Sequence, residues 1–152
     1  MDVKPIRLAH RQSILDLAAK DYPEEIIAEW GTNQTADAIQ KHKTALQTEA
    51  EISWVAEVDG NIVGFSALVP ANSELRAIYV TGAAAKRGVG KALLNALENK
   101  ARELRLEKLQ LHSSITAKAF YEKNGYKNLG KGFHTMTSGR QMKCYFMEKN
   151  LK

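Results

Sequence analysis

The sequence predicts a mixed α/β fold, a central sheet of about seven strands with helices on both faces. Three observations carry that expectation. Strand-like alternation recurs in short stretches, as in Glu74–Val80, where Leu75, Ala77 and Tyr79 alternate with Glu74, Arg76 and Ile78. Helix-like spacing follows it, with Leu93, Leu97, Ala101 and Leu104 recurring near one turn apart. Along the chain the two patterns run in the order strand, helices, three strands, helix, strand, helix, two strands.

Residues 5–9 are expected as the first strand, with Ile6 and Leu8 on one face, and residues 10–20 as a helix with Ile14, Leu17 and Ala18 inward. Tyr22-Pro23-Glu24-Glu25 reads as a helix start, because proline suits the first turn and acids suit the positive end of the dipole. That helix carries Ile26, Ile27 and Trp30 and stops at Gly31, and a further helix covers 35–48. Ile52–Val58 and Asn61–Val69 form a hairpin about Asp59-Gly60. Residues 70–73 turn the chain into Glu74–Val80. After the long helix come a strand at 108–112, a helix at 116–123 that stops at Asn124-Gly125, a strand at 126–132, a loop at 134–139 and a last strand at 141–149.

The 152 residues suit one domain, residues 1–152, able to bury a real core. Apolar residues make up 44% and charged residues 26%, the balance of a soluble globular chain. No apolar run approaches the length of a membrane span, and the first residues lack the apolar stretch of a signal peptide. A single cysteine, Cys144, excludes an internal disulfide and points to a reducing, cytoplasmic setting. The net charge of +5 suits an anionic ligand. A nucleic-acid binder would cluster its cations with stacking aromatics, whereas here the basic residues are scattered and balanced by 17 acids, so no nucleic-acid partner is expected. No group of His, Cys, Asp and Glu has metal-ligand spacing, so no metal is expected.

The junction between the central strand and the long helix is the candidate ligand site. A helix start offers amides with no internal partner and partial positive charge, and glycine leaves the backbone open to an anion. Gly88 and Gly90 stand there among Lys86, Arg87 and Lys91. The spacing is not that of a nucleotide P-loop, because Lys91 is followed by Ala92 rather than by a hydroxyl residue. Nor is it a dinucleotide fingerprint, because Leu93 stands where the third glycine is needed.

Two stretches resemble the GCN5-related N-acetyltransferase (GNAT) family. Glu74-Leu75-Arg76-Ala77-Ile78-Tyr79-Val80, with Ala85-Lys86-Arg87-Gly88-Val89-Gly90-Lys91 after it, is similar to the family's strand and its Gln/Arg-x-x-Gly-x-Gly/Ala turn. Ser114-Ile115-Thr116-Ala117-Lys118-Ala119-Phe120-Tyr121-Glu122-Lys123-Asn124-Gly125-Tyr126 is similar to its Asn-x-x-Ala-x-x-Phe-Tyr-Glu-x-x-Gly-Phe segment. The element order extends the likeness over nearly the whole chain. Ala85 and Ser114 depart from the pattern, and each removes one side-chain contact while leaving the backbone amides in place.

The resemblance implies a mostly antiparallel sheet of the acyl-CoA N-acyltransferase type and acetyl-CoA as donor. It puts the pyrophosphate on the turn formed by Lys86, Arg87, Gly88, Val89, Gly90 and Lys91. It runs the pantetheine along Ile78, Tyr79 and Val80, with Ser114 as a further cofactor contact. The Val80 amide would then donate to the thioester oxygen. Transfer to an amine requires a neutral nucleophile, yet at an amine pKa of about 10.4 only about one molecule in a thousand is neutral at pH 7. It also requires a polarised carbonyl and a proton for the leaving thiolate. Tyr121 matches the family's proton donor, and Glu74 matches the strand glutamate that serves some members as a base acting through water. His112 and His134 are the other candidate bases. Tyr22, Trp30, Phe133 and Tyr145 would line the pocket for an amine acceptor. The alternative is an acyl-CoA-binding module without catalysis. A homodimer is open, since many members pair, although no long exposed apolar stripe demands one.

Overall fold

The computed structural model describes residues 2–32, 35–85 and 87–152, without the side chain of Thr32. Helix α1 (Lys4–Ser13) runs into a π-helical turn at Ile14–Ala18. Helices α2 (Glu24–Thr32) and α3 (Ala36–Gln47) follow. Next come strands β1 (Ile52–Val58), β2 (Asn61–Val69) and β3 (Glu74–Val80), helix α4 (Val89–Glu103), strand β4 (Lys108–Ser114), helix α5 (Lys118–Lys123), and strands β5 (Lys127–Thr135) and β6 (Gln141–Asn150).

The first element is a correction to the sequence reading. Residues 5–9 are helical, so the sheet has six strands among the described residues. Alternation would have buried Leu8 with Ile6, but Leu8 is 58% exposed while Val3, Ile6, Ala9, Ser13 and Ile14 are buried at helical spacing. Pro5 sits in the first turn, where its missing N–H costs nothing.

The sheet order is β1-β2-β3-β4-β6-β5, with every neighbouring pair antiparallel except β3 and β4. Asp59 and Gly60 both take positive φ, the geometry that a tight hairpin requires between β1 and β2. One core gathers Leu68, Leu75, Leu94, Leu97, Leu109 and Met147 under α4, and Tyr121 of α5 joins it. On the opposite face Ile14, Ala18, Tyr22, Ile26, Ile27 and Met142 pack under α2 and the π-turn. Helices therefore cover both faces.

Two irregularities shape the centre of the sheet. Ala67 pairs with Ala77 but Leu68 pairs with Leu75, so Arg76 is an extra residue in β3. Because side chains alternate, this bulge turns Leu75 to the face opposite Ala77 and Tyr79, which overturns the regular alternation expected from sequence. The second irregularity is the parallel pair, where β3 meets β4 at only one register position, Glu74 opposite Gln110. Beyond it the two strands diverge toward the N-terminus of α4.

Candidate active site

The turn at the head of α4 is open and leaves its first amides exposed. Gly88 caps the helix at φ 79°, and a β-carbon added there would meet no atom within 4 Å. The Ala92 amide bonds back to the Gly88 carbonyl at 3.0 Å, which leaves the amides of Val89, Gly90 and Lys91 ahead of the helical ladder. Asp16 of the π-turn steadies the approach by accepting the Gly82 amide at 2.9 Å. Lys91 donates through Nζ to the Asn124 side chain, which ties the turn to the end of α5. Arg87 is exposed beside it, and Lys86 lies outside the described residues. Gly90 serves packing, since a β-carbon there would stand 3.2 Å from Cε1 of Phe120.

The diverging edge of β3 leads from this turn to Glu74. The Thr81 amide bonds to the Val63 carbonyl at 2.8 Å, which makes Val63 with Thr81 a hydrogen-bonded pair of the antiparallel ladder. The intervening pairs, Gly64 with Val80 and Ser66 with Ile78, are then the non-bonded ones. The N–H and C=O groups of Ile78 and Val80 therefore point away from β2, into the opening. Tyr79 bonds to β2 instead, and its side chain turns to the α1 face. Ser114, at the far wall, accepts the Ala117 amide through Oγ at 3.1 Å and so caps the turn into α5.

Tyr121 is buried between Phe120 and Tyr126. Burial pushes its phenol well above the ordinary value of 10, and the electrostatic influence of Tyr79 adds to that. Tyr79 itself is pushed up to about 12 by burial, although the Trp30 indole N–H, which donates to its hydroxyl at 3.2 Å, works in the other direction.

The aromatic residues assigned to one pocket from sequence lie on two faces. Tyr22 packs edge-on to Trp30 at 5.7 Å, while its hydroxyl donates to the Lys143 carbonyl at 2.7 Å and accepts the Ile115 amide at 2.8 Å. That clamp joins the start of α2 to β6 and to the end of β4. The strand register puts Phe133 beside Lys143, and Lys131 beside Tyr145, on the opposite face. Tyr145 packs there with the core under α4, while Phe133 is exposed.

The space beside Glu74 is a cleft of about 380 Å³, lined by Asn72, Glu74, Gln110, His112, Leu129 and Phe146 among others. His112, from that lining, meets His134, Nδ1 to Nδ1 at 3.5 Å. Partial burial, then the neighbouring His112, lower the pKa of His134; Glu74 opposes them and Arg76 adds to them. The sequence offered the two histidines separately, and the curl of the β5–β6 hairpin brings them together.

Sequence reasoning missed two groups. His10 of α1 stands at the centre of an aromatic cluster, 4.1 Å from Tyr79 and 6.0 Å from Phe65 between ring centroids. Glu51 is buried and bonds Arg76 at 3.1 Å and His42 at 3.2 Å, which anchors the bulge residue of β3. The burial of Ile6 and Ala9, read at helical spacing, is the signal that would have put His10 inside. No pattern marks Glu51. Among the described residues no three His, Cys, Asp or Glu side chains are arranged to hold a metal, and no helix is long and apolar enough to cross a membrane.

Comparison with known proteins follows the same lines. Residues 18–142 match the acetyltransferase (GNAT) domain family. The peptidyl-lysine N-acetyltransferase YiaC of Escherichia coli is 31% identical over 102 residues, which is 64% of this chain and 67% of that protein. A GCN5-related N-acetyltransferase of Rhodopseudomonas palustris superposes with a TM-score of 0.82 at 26% identity, covering 99% of this chain and 91% of the other. The PaiA N-acetyltransferase of Thermoplasma acidophilum, solved in complex with coenzyme A, shares the fold with a TM-score of 0.77 at 21% identity, over 98% of this chain and 92% of its own.

Proposed function

The chain belongs to the GNAT acetyltransferase family, and from that premise we propose that residues 1–152 act as one acetyl-CoA-dependent N-acetyltransferase domain. It moves an acetyl group to a primary amine directly, within a ternary complex. The observation that carries the reading is the open edge of β3. Ile78 and Val80 present unpaired backbone groups to a gap that begins at Glu74 and ends at the head of α4.

In this reading the amides of Val89, Gly90 and Lys91, with the side chain of Arg87, hold the pyrophosphate, and Lys86 is assigned to it from the sequence alone. Gly88 leaves room for it. The pantetheine pairs with Val80 as an added strand would. We assign the thioester oxygen to the Ile78 amide rather than to Val80. At about 3.3 Å per residue, Val80 is about 20 Å along the strand from Glu74 and Ile78 about 13 Å, which makes Ile78 the nearer amide for a base that acts through water. The amide lowers the barrier by meeting negative charge as it develops on the carbonyl oxygen. Tyr121, kept protonated by burial, gives its proton to the departing thiolate. Glu74 draws the proton from the acceptor ammonium through water.

The acceptor occupies the cleft beside Glu74 and His112. A cleft with one carboxylate, Glu74, beside apolar Leu129 and Phe146 suits an alkylammonium on a flexible chain. YiaC acts on lysine side chains of proteins, so lysine peptides are the first acceptors to try. The test has two stages. Acetyl-CoA should raise the melting temperature in proportion to the logarithm of its concentration. A thiol-release assay over lysine peptides and small amines should then show turnover. No thermal shift at millimolar acetyl-CoA refutes the cofactor site. A shift with no turnover on any amine leaves the acyl-CoA-binding module.

A further inference from the structure

We propose that His112 and His134 form a two-ring proton relay that carries the acceptor's proton from Glu74 to solvent. The proposal rests on the acetyltransferase reading and names the route by which its amine becomes neutral. The two Nδ1 atoms face one another at 3.5 Å, the outer limit of a hydrogen bond. Two lone pairs or two N–H groups at that distance repel, so one ring carries the Nδ1 proton and the other accepts it. The neutral pair then has one bare Nε2 and one protonated Nε2.

That arrangement is a conductor. A proton added at the bare Nε2 makes the first ring an imidazolium. Its Nδ1 proton crosses to the partner ring, and the partner releases its own Nε2 proton. Exchange with water at the two exposed Nε2 atoms, with return of the shared Nδ1 proton, restores the starting tautomers before the next turnover. The acceptor's N–H bond breaks with the electron pair left on nitrogen, Glu74 takes the proton through water, and the pair passes one proton on to bulk water. No net charge remains.

The surroundings agree with this role. Glu74 and His112 line the same cleft, and both imidazoles are solvent-exposed. The charged groups acting on His134 are His112 from β4 and Glu74 and Arg76 from β3. Phe146 packs edge-on against His112 at 4.8 Å between centroids and fixes its plane. His134 is held below its ordinary pKa by partial burial and by His112, so a proton passed to it is readily released.

The test is the pH dependence of kcat for His112→Gln, His134→Gln and the double variant, with a lysine peptide and saturating acetyl-CoA. Each single variant should lose about tenfold or more at pH 7. The double variant should lose no more than the worse single, because half a relay conducts nothing. The loss should shrink as pH rises toward the amine's own pKa, where the acceptor arrives neutral. The Kd for acetyl-CoA should stay at the wild-type value throughout. Imidazole 15N spectra of the folded protein should show each ring's resonances shifting when the other ring is replaced. Wild-type turnover with undiminished variants, additive losses, or a loss equal at every pH overturns the relay and leaves the acetyltransferase reading standing. A wild type inactive on every amine overturns both.

Discussion

Gly90 lies against Phe120 so closely that a β-carbon would stand 3.2 Å from the ring. The first turn of α4 thus rests on the helix that carries Tyr121, and the proposed anion turn and the proposed proton donor share one contact. Gly90→Ala should push α5 outward and lower kcat about tenfold. Its stability should change little, because alanine gains about 1 kcal/mol over glycine inside a helix and offsets the crowding. Gly88→Ala should behave differently. Its φ of 79° costs an alanine about 1–2 kcal/mol, and its β-carbon would fill open space that the proposed phosphate site needs. It should lower the melting temperature and raise KM for acetyl-CoA while sparing kcat. Melting curves and steady-state kinetics on the two variants check the split, which a common KM effect would contradict.

Tyr121→Phe should lower kcat about a hundredfold and leave the Kd for acetyl-CoA within about twofold. The sign of its pH behaviour follows from burial. The folded protein holds the phenol above its ordinary value of 10, so Tyr121 keeps its proton throughout the working range. The wild-type profile should therefore show no alkaline limb from this residue below about pH 10. A variant with wild-type turnover would move the acid role elsewhere.

Most of this architecture was legible in the chain. The Asp59-Gly60 turn, the alternation on both sides of it, and the passage from Val80 into a helix at Gly88 are local signals, and the local signals held. What failed depended on partners distant in sequence. Ile6 and Leu8 fit a strand until Leu8 proves exposed. The bulge at Arg76 leaves no mark in β3 itself, because it is defined by pairing with Ala67 and Leu68. Phe133 and Tyr145 fell on the opposite face from Tyr22 and Trp30 for the same reason, since facing is set by register. The His112–His134 contact joins β4 to the curled end of β5 across 22 positions, and nothing in either strand announces the other.

Glu51 offers a stability test for the bulge. Burial pushes its carboxyl up, but the His42 hydrogen bond, Arg76 and Arg7 together outweigh that and hold it below the ordinary 4.5. The folded pKa lies below the unfolded one, so the stabilisation is fully present above 4.5 and is lost as pH falls through the lower folded value. Glu51→Gln should cost about 2 kcal/mol at pH 7, with the partial exposure of Arg76 limiting the figure. It should also flatten the melting curve below pH 4.5 and lower kcat/KM, because Arg76 loses its anchor two residues from Glu74. Equal melting temperatures for variant and wild type at pH 7 would show the cluster to be neutral.

His10 titrates in a different window. Burial first, then Arg7, His42 and Arg76, hold its imidazole down to about 4 against an ordinary 6.5. Its Nε2 is buried with no hydrogen-bond partner among the described residues, so a proton there would be a charge among Tyr79, Trp30 and Phe65. The unfolded chain binds that proton below 6.5 and the folded chain does not until about 4, so stability falls as pH drops between those values. The loss amounts to about 3 kcal/mol at the lower end. The melting temperature should therefore decline from pH 6.5 to 4, above the window in which Glu51 acts. His10→Phe, which keeps a flat ring in the cluster, should remove the decline and melt higher than wild type at pH 5. His10→Gln serves as the check against crowding by the larger ring, since it also lacks a titrating group and should show the same flat profile. Parallel declines in wild type and both variants would assign the acid sensitivity to another residue.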